Sequence, residues 1–165
     1  MRQLCLLILL FNFGCSFVAG QNTKAQLLLF WSETCPNCIF YGPEIRRLQG
    51  KYIETVEWIF IFPNLTSTDS TAHTYILKNK LQGKIEVARA ADYVQKYKIE
   101  VTPEVVLLDP AGALLYAGRI DNSYEKIGRR RFKTTETELA DRLQKLADYQ
   151  SFPYIRTRSV GCFLH

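Results

Sequence analysis

Apolar residues run almost unbroken from Ala25 to Trp31 (AQLLLFW), bounded by polar residues on both sides. The run is too short for a helix and suits a strand covered on both faces, which places it at the centre of a sheet. A second run, Thr55 to Phe62 (TVEWIFIF), ends at Pro63-Asn64 and predicts another strand. Between them, Cys38 to Tyr52 carries Ile45 and Leu48 at i, i+3 spacing among good helix formers, with Pro43 as an expected kink and Gly50 as the stop. Thr68 to Leu81 follows as a helix with several candidate caps, then a short strand from Ile85 to Ala88 and a short helix from Ala90 to Tyr97. Val105 to Leu108 and Leu114 to Ala117 flank Asp109-Pro110-Ala111-Gly112, the turn chemistry of a hairpin. Thr135-x-x-Glu138 reads as a capping box before Leu139, Leu143 and Leu146, an amphipathic last helix. Tyr124 to Lys133 and the tail from Tyr149 to His165 carry no period and are expected as surface loops.

This order of elements predicts an α/β fold, a central mixed sheet flanked by helices, with parallel crossovers and one antiparallel hairpin. A chain of 165 residues that is 47% hydrophobic and 22% charged can bury one core, which excludes a disordered or fibrous protein. The net charge of +5 is modest. The basic run Arg129-Arg130-Arg131 lacks interleaved aromatics or a binding fold, so no nucleic-acid partner is expected.

The first twenty residues pattern differently. Arg2, the apolar stretch Leu4 to Phe13 and the small exit Val18-Ala19-Gly20 have the layout of a secretory signal. The stretch falls short of the ~20 residues of a transmembrane helix. Residues 1–20 are therefore expected as a signal peptide, 24–148 as one domain and 149–165 as a C-terminal tail carrying Cys162. Export to a periplasmic or extracellular space follows, with lipid anchoring at Cys15 as the other route. Asn64-Leu65-Thr66 is a formal glycosylation sequon, informative only in a eukaryotic host.

Chemistry concentrates in Cys35-Pro36-Asn37-Cys38, directly after a buried strand and at the mouth of a helix. Unpaired backbone N–H groups and the positive end of the helix dipole favour a thiolate there, the attacking species in disulfide exchange. Cys35 is the expected nucleophile and Cys38, one turn further in, the resolving thiol. A static disulfide or half of a zinc site would be the bland alternative, but no second C-x-x-C or H-x-x-H at finger spacing accompanies the pair. Cys162 is open between a buried tail thiol and a third thiol that folds back over the CPNC mouth to regulate or resolve Cys35. Cys35, Cys38, Cys162 and His165 together would also suit Cu(I) or Zn(II), a metal-binding alternative. Ser32-x-x-Cys35 satisfies part of a thiol peroxidase site, a further alternative, with Arg119 the conceivable peroxide-polarising cation.

LLLFWSETCPNC, Pro43 five residues after Cys38, and Val101-Thr102-Pro103 ahead of EVVLLDPAGALLYAG resemble the thioredoxin superfamily. PEIRRL, TPEVVLLD, LLYAGRID and the terminal VGCF are more narrowly similar to exported bacterial redoxin-domain proteins, relatives of the TlpA-like and AhpC/TSA-type redoxins. The resemblance implies a thioredoxin-like fold over about Lys24 to Ala147. It implies a cis-proline at Pro103 beside the CxxC, and backbone at Thr102 where an extended substrate docks. It also implies thiol-disulfide oxidoreductase activity on protein thiols and disulfides, without a cofactor and with a membrane electron donor as partner. Two departures stand out: Leu29 occupies the place of the superfamily's buried acid, and Pro-Asn separates the cysteines instead of Gly-Pro.

Overall fold

A computed structural model describes residues 24–164. In chain order the elements are β1 (Ala25–Phe30), α1 (Pro36–Tyr52), β2 (Val56–Ile61), α2 (Asp69–Lys78), β3 (Lys84–Glu86), α3 (Ala90–Tyr97), β4 (Val101–Thr102) and β5 (Glu104–Leu108). They continue with β6 (Leu114–Gly118), β7 (Tyr124–Lys126), β8 (Arg129–Arg130), α4 (Glu138–Ala147), β9 (Ile155–Arg156) and β10 (Cys162–Phe163). Six strands form one mixed sheet in the order β3-β2-β1-β5-β6-β9. β1 pairs parallel with β2 from Ala25↔Val56 to Phe30↔Ile61 and antiparallel with β5, Leu29 opposite Val105.

The alternation of side chains along a strand sorts β1 between two cores. Leu27, Leu29 and Trp31 pack with Ile45 and Leu48 of α1, Ile76 of α2, and Leu139 and Leu143 of α4. Leu28 and Phe30 face the other way, toward Ile61, Val106 and Tyr97 of α3. Both faces of β1 are covered, which is why the strand reads as a continuous apolar run rather than an alternating one.

Several local readings shift. α1 starts at Pro36, two residues earlier than expected, because proline at a helix's first position gives up no hydrogen bond. It contains Pro43 and passes Gly50, since Ile45, Leu48 and Tyr52 continue one buried face to its end. The expected capping box at Thr135 is not the start of α4, whose N-cap is Thr137. The Thr135 amide donates to Asn122 Oδ1 (2.9 Å) and its hydroxyl accepts from Asn122 Nδ2 (2.8 Å). A reciprocal box instead opens α2, between Thr68 and Thr71. The segment 124–133 is a small antiparallel ribbon, β7 with β8, that lays the Arg130 guanidinium 4.0 Å from the Phe40 ring centre.

The tail differs most. Instead of a surface loop, it contributes β9 parallel to β6 at the sheet edge, Tyr116 opposite Ile155, and β10 antiparallel to β4. The close approach of β9 is possible because Gly118 (φ +135°) has no Cβ to meet the Thr157 backbone, whose nitrogen would lie 2.9 Å away. Tyr116 and Thr157 hydroxyls then share a 2.7 Å hydrogen bond.

Candidate functional site

α1 begins against the end of β1, and that junction sets the site. Cys35 is the N-cap of α1, in extended conformation (φ −73°, ψ 120°), with Pro36 following and no acidic side chain in the first turn. The positive end of the helix dipole is left free to act on the sulfur. The preceding turn is braced from the β2–α2 loop. Asn64 Nδ2 donates to Ser32 Oγ (2.7 Å), while the Ser67 and Thr71 hydroxyls donate to the two oxygens of Glu33 (2.7 and 2.8 Å). The amide of the Asn64 sequon is thus turned inward, on the Ser32 hydroxyl.

The second wall is the Thr102–Pro103 corner between β4 and β5, whose peptide bond is cis. Cys35 Sγ lies 3.2 Å from the Thr102 carbonyl oxygen. Cys38, the expected resolving thiol, is a free thiol with no exposed surface. Burial pushes it far above the ordinary thiol range, outweighing a Ser32 backbone hydrogen bond and the Thr102 hydroxyl, which act the other way.

The disulfide joins Cys35 to Cys162, with Cα atoms 6.0 Å apart across a sequence separation of 127. Its second half arrives on β10, where Cys162 stands opposite Thr102 and Phe163 opposite Val101. Leu164 N donates to Glu100 O (3.3 Å) and prolongs the ladder. Asn37, buried at 5% exposure, donates its side-chain amide to the Val160 carbonyl (2.9 Å). The third thiol therefore does fold over the CPNC mouth, and Cys35, Thr102, Pro103 and Cys162 meet there. Cys38 lies beneath.

Other candidates fall elsewhere. The Arg119 guanidinium, conceivable for polarising a peroxide, is engaged by Glu136 and Glu138 at the start of α4. His165 of the metal-binding alternative lies outside the described residues, and Cys35 and Cys162 are committed to each other. Among the described residues no cluster of three or more His, Cys, Asp or Glu is arranged to hold a metal.

Two contributors were not legible in the sequence. Asn37 stands in the sequence only as half of the Pro-Asn dipeptide, with nothing local to show that its amide reaches the tail. Glu104, directly after the cis-proline, lies one residue ahead of the expected strand Val105 to Leu108, yet it opens β5 and its carboxyl is buried. Burial pushes that carboxyl up to about 7, although Arg156 of β9 donates to it (2.6 Å) and pulls the other way.

The profile of the thioredoxin-like domain matches residues 17–127 of the sequence. The chain belongs to the thioredoxin-like family. No curated protein matches this thioredoxin-like chain in sequence. Among solved structures it superposes on a hypothetical protein of Sinorhizobium meliloti with a TM-score of 0.73 at 17% identity, over 87% of this chain and 80% of that one. An uncharacterised conserved protein of Geobacillus kaustophilus gives 0.73 at 18%, over 87% and 78%. A secreted Mycobacterium tuberculosis disulfide oxidoreductase, described as homologous to the DsbE of Escherichia coli, gives 0.54 at 16%, over 76% and 84%. These likenesses establish the fold. No helix among the described residues is long and apolar enough to cross a membrane.

Proposed function

We propose that this thioredoxin-like protein is an exported thiol-disulfide oxidoreductase that exchanges disulfides with other proteins through Cys35. The observation that carries the reading is the placement of the Cys35 sulfur, at the N-terminus of α1 and 3.2 Å from the Thr102 carbonyl, in a disulfide with a strand laid along β4. That is the arrangement of a mixed disulfide between a redox thiol and an extended polypeptide, with the chain's own tail in the second role. Solved structures sharing the fold include a protein described as a secreted disulfide oxidoreductase, which supports the assignment and the exported location. Ile39 and Phe163, each one residue from a site cysteine, stay 54% and 60% exposed, an apolar rim suited to a protein partner.

Reduction of a substrate would run in two exchanges. The Cys35 thiolate attacks one sulfur of the substrate disulfide; a Cys35–substrate bond forms, the substrate S–S bond breaks, and the second substrate sulfur leaves as a thiolate. Cys38 then loses its proton and attacks Cys35 Sγ. The Cys35–Cys38 bond forms, the substrate leaves with two thiols, and two electrons have passed from the CPNC pair to it. Burial raises Cys38, so its proton must leave a site without solvent for this second exchange to proceed. Reductive turnover outside the cytosol needs a donor that returns the pair to the dithiol, and a membrane electron donor fits that role. Lipid attachment at Cys15 would hold the protein near such a donor.

Replacing Cys38 by Ser tests the scheme. With Cys162 also replaced by Ser, so that it cannot resolve Cys35 in place of Cys38, the reduced chain mixed with a disulfide-containing protein accumulates mixed disulfides on Cys35. Failure to trap any, with unchanged reduction kinetics, removes the reading.

A further inference from the structure

The docked tail records what the site recognises. Around Cys162 the contacts are made almost entirely to main chain: Cys162 pairs with Thr102, Phe163 with Val101, and Leu164 N donates to Glu100 O. Main-chain pairing of this kind gives affinity without reading sequence, and selectivity then comes from what the close approaches permit. Two positions are restrictive. At Gly161, immediately before the cysteine, a Cβ would press into the Thr102 carbonyl, 2.6 Å from its carbon and 3.2 Å from Pro103 N. Those are backbone atoms of the cis-proline corner, so no side chain can swing aside to admit it. Two residues before the cysteine, the Val160 carbonyl receives the Asn37 amide. Asn37 is itself buried and supplied by the dipeptide between the two CPNC cysteines.

Resting on the exchange reading above, we propose that Asn37 and the Thr102–Pro103 corner make the site selective for an extended strand with glycine directly before its reactive cysteine. Val160-Gly161-Cys162 is the chain's own copy of that strand, held over β4 until the Cys35–Cys162 bond is reduced. A protein substrate pairs with Val101 and Thr102 in the same antiparallel register, gives its carbonyl at the second position before the cysteine to Asn37, and brings its sulfur to Cys35. A non-glycine residue before the cysteine is excluded by contact with the corner, whatever its polarity.

The test uses the full chain carrying Gly161→Ala, Cys162→Ser and Cys38→Ser, so that the tail neither fits its seat nor bonds and Cys38 cannot resolve. Three probes are offered, each as a mixed disulfide with the chromophore 5-thio-2-nitrobenzoate: a peptide with the sequence of residues 159–164, the same peptide with alanine in place of its glycine, and free cysteine. In each reaction the Cys35 thiolate bonds to the probe's cysteine sulfur and the chromophore leaves as its thiolate; the adduct on Cys35 is followed by peptide mapping. The glycine peptide is expected to react about tenfold or more faster than the alanine peptide, a difference of roughly 1.4 kcal/mol in barrier. Asn37→Ala is expected to shrink the ratio of the glycine-peptide rate to the free-cysteine rate several-fold. Equal rates for the two peptides, with free cysteine reacting, overturn the selectivity and leave the exchange reading standing. No adduct on Cys35 from any probe overturns both. Should the triple variant lack the native circular dichroism spectrum, a chain with Cys162→Ser and Cys38→Ser but the natural Gly161 carries the same comparison, its tail competing equally against both peptides.

Discussion

Arg156 closes over Glu104: its guanidinium donates to the Glu104 carboxylate (2.6 Å) and to the carbonyls of Tyr97 and Lys98 (3.0 Å each). One residue of the tail thereby ties the sheet edge, the end of α3 and the strand after the cis-proline together. Burial nonetheless holds Glu104 at about 7, above its ordinary range. Between about pH 4.5 and 7 the folded state therefore binds more protons than the unfolded one, and the linkage slope is negative. The Glu104 contribution to stability is expected to be full below pH 4.5 and to fall by up to about 3 kcal/mol as pH rises through 7. Urea titrations across this range should show the fall in the natural chain, and Glu104→Gln should flatten it. A natural chain whose stability rises over the same interval would show that Glu104 is not held protonated.

The Cys35–Cys162 bond closes nearly the whole described chain into a loop, with a sequence separation of 127. Restricting the unfolded chain over such a length is worth about 2–5 kcal/mol. Reduction, or Cys162→Ser, is expected to lower unfolding stability by that amount in urea. A change below about 0.5 kcal/mol would mean that the bond adds little beyond the strand contacts of the tail.

Cys38, with no exposed surface and its ionisation suppressed by burial, is expected to resist alkylation in the native protein at neutral pH and to react once urea unfolds the chain. Peptide mapping after iodoacetamide reads both states. Rapid native labelling at Cys38 would contradict its placement beneath Cys35.

Asn64→Ala removes the donor to Ser32 Oγ and is expected to cost about 1–2 kcal/mol, read by thermal or urea unfolding. It also frees the turn that carries Cys35, so slower trapping of mixed disulfides should accompany the loss. Unchanged stability and trapping would show that the brace from the β2–α2 loop is dispensable.

The legible parts of the fold are those whose signal is local. Leu27 to Phe30 is apolar at every position because both faces of β1 are covered, and Leu139 and Leu143 mark the buried stripe of α4. The order of strands and helices between them sufficed to suggest the layered fold. What escaped depends on partners distant in sequence. Ile155–Arg156 and Cys162–Phe163 are two-residue strands with no period of their own, and exist because β6 and β4 offer unpaired edges. Nothing local marks Glu104 as a buried acid, since the arginine that answers it lies 52 residues later. At the site, adjacency in sequence places Cys38 one turn from Cys35, whereas only the path of the tail brings Cys162 into its disulfide with Cys35. Only the register of β10 on β4 reveals why the residue before Cys162 is glycine.

The most direct measurement is catalysed reduction of a protein disulfide, such as those of insulin, by dithiothreitol in the presence of the natural chain and of Cys35→Ser. The account predicts acceleration by the natural chain and a fall to the uncatalysed rate for Cys35→Ser at an unchanged circular dichroism spectrum. Turnover by Cys35→Ser equal to that of the natural chain would contradict it.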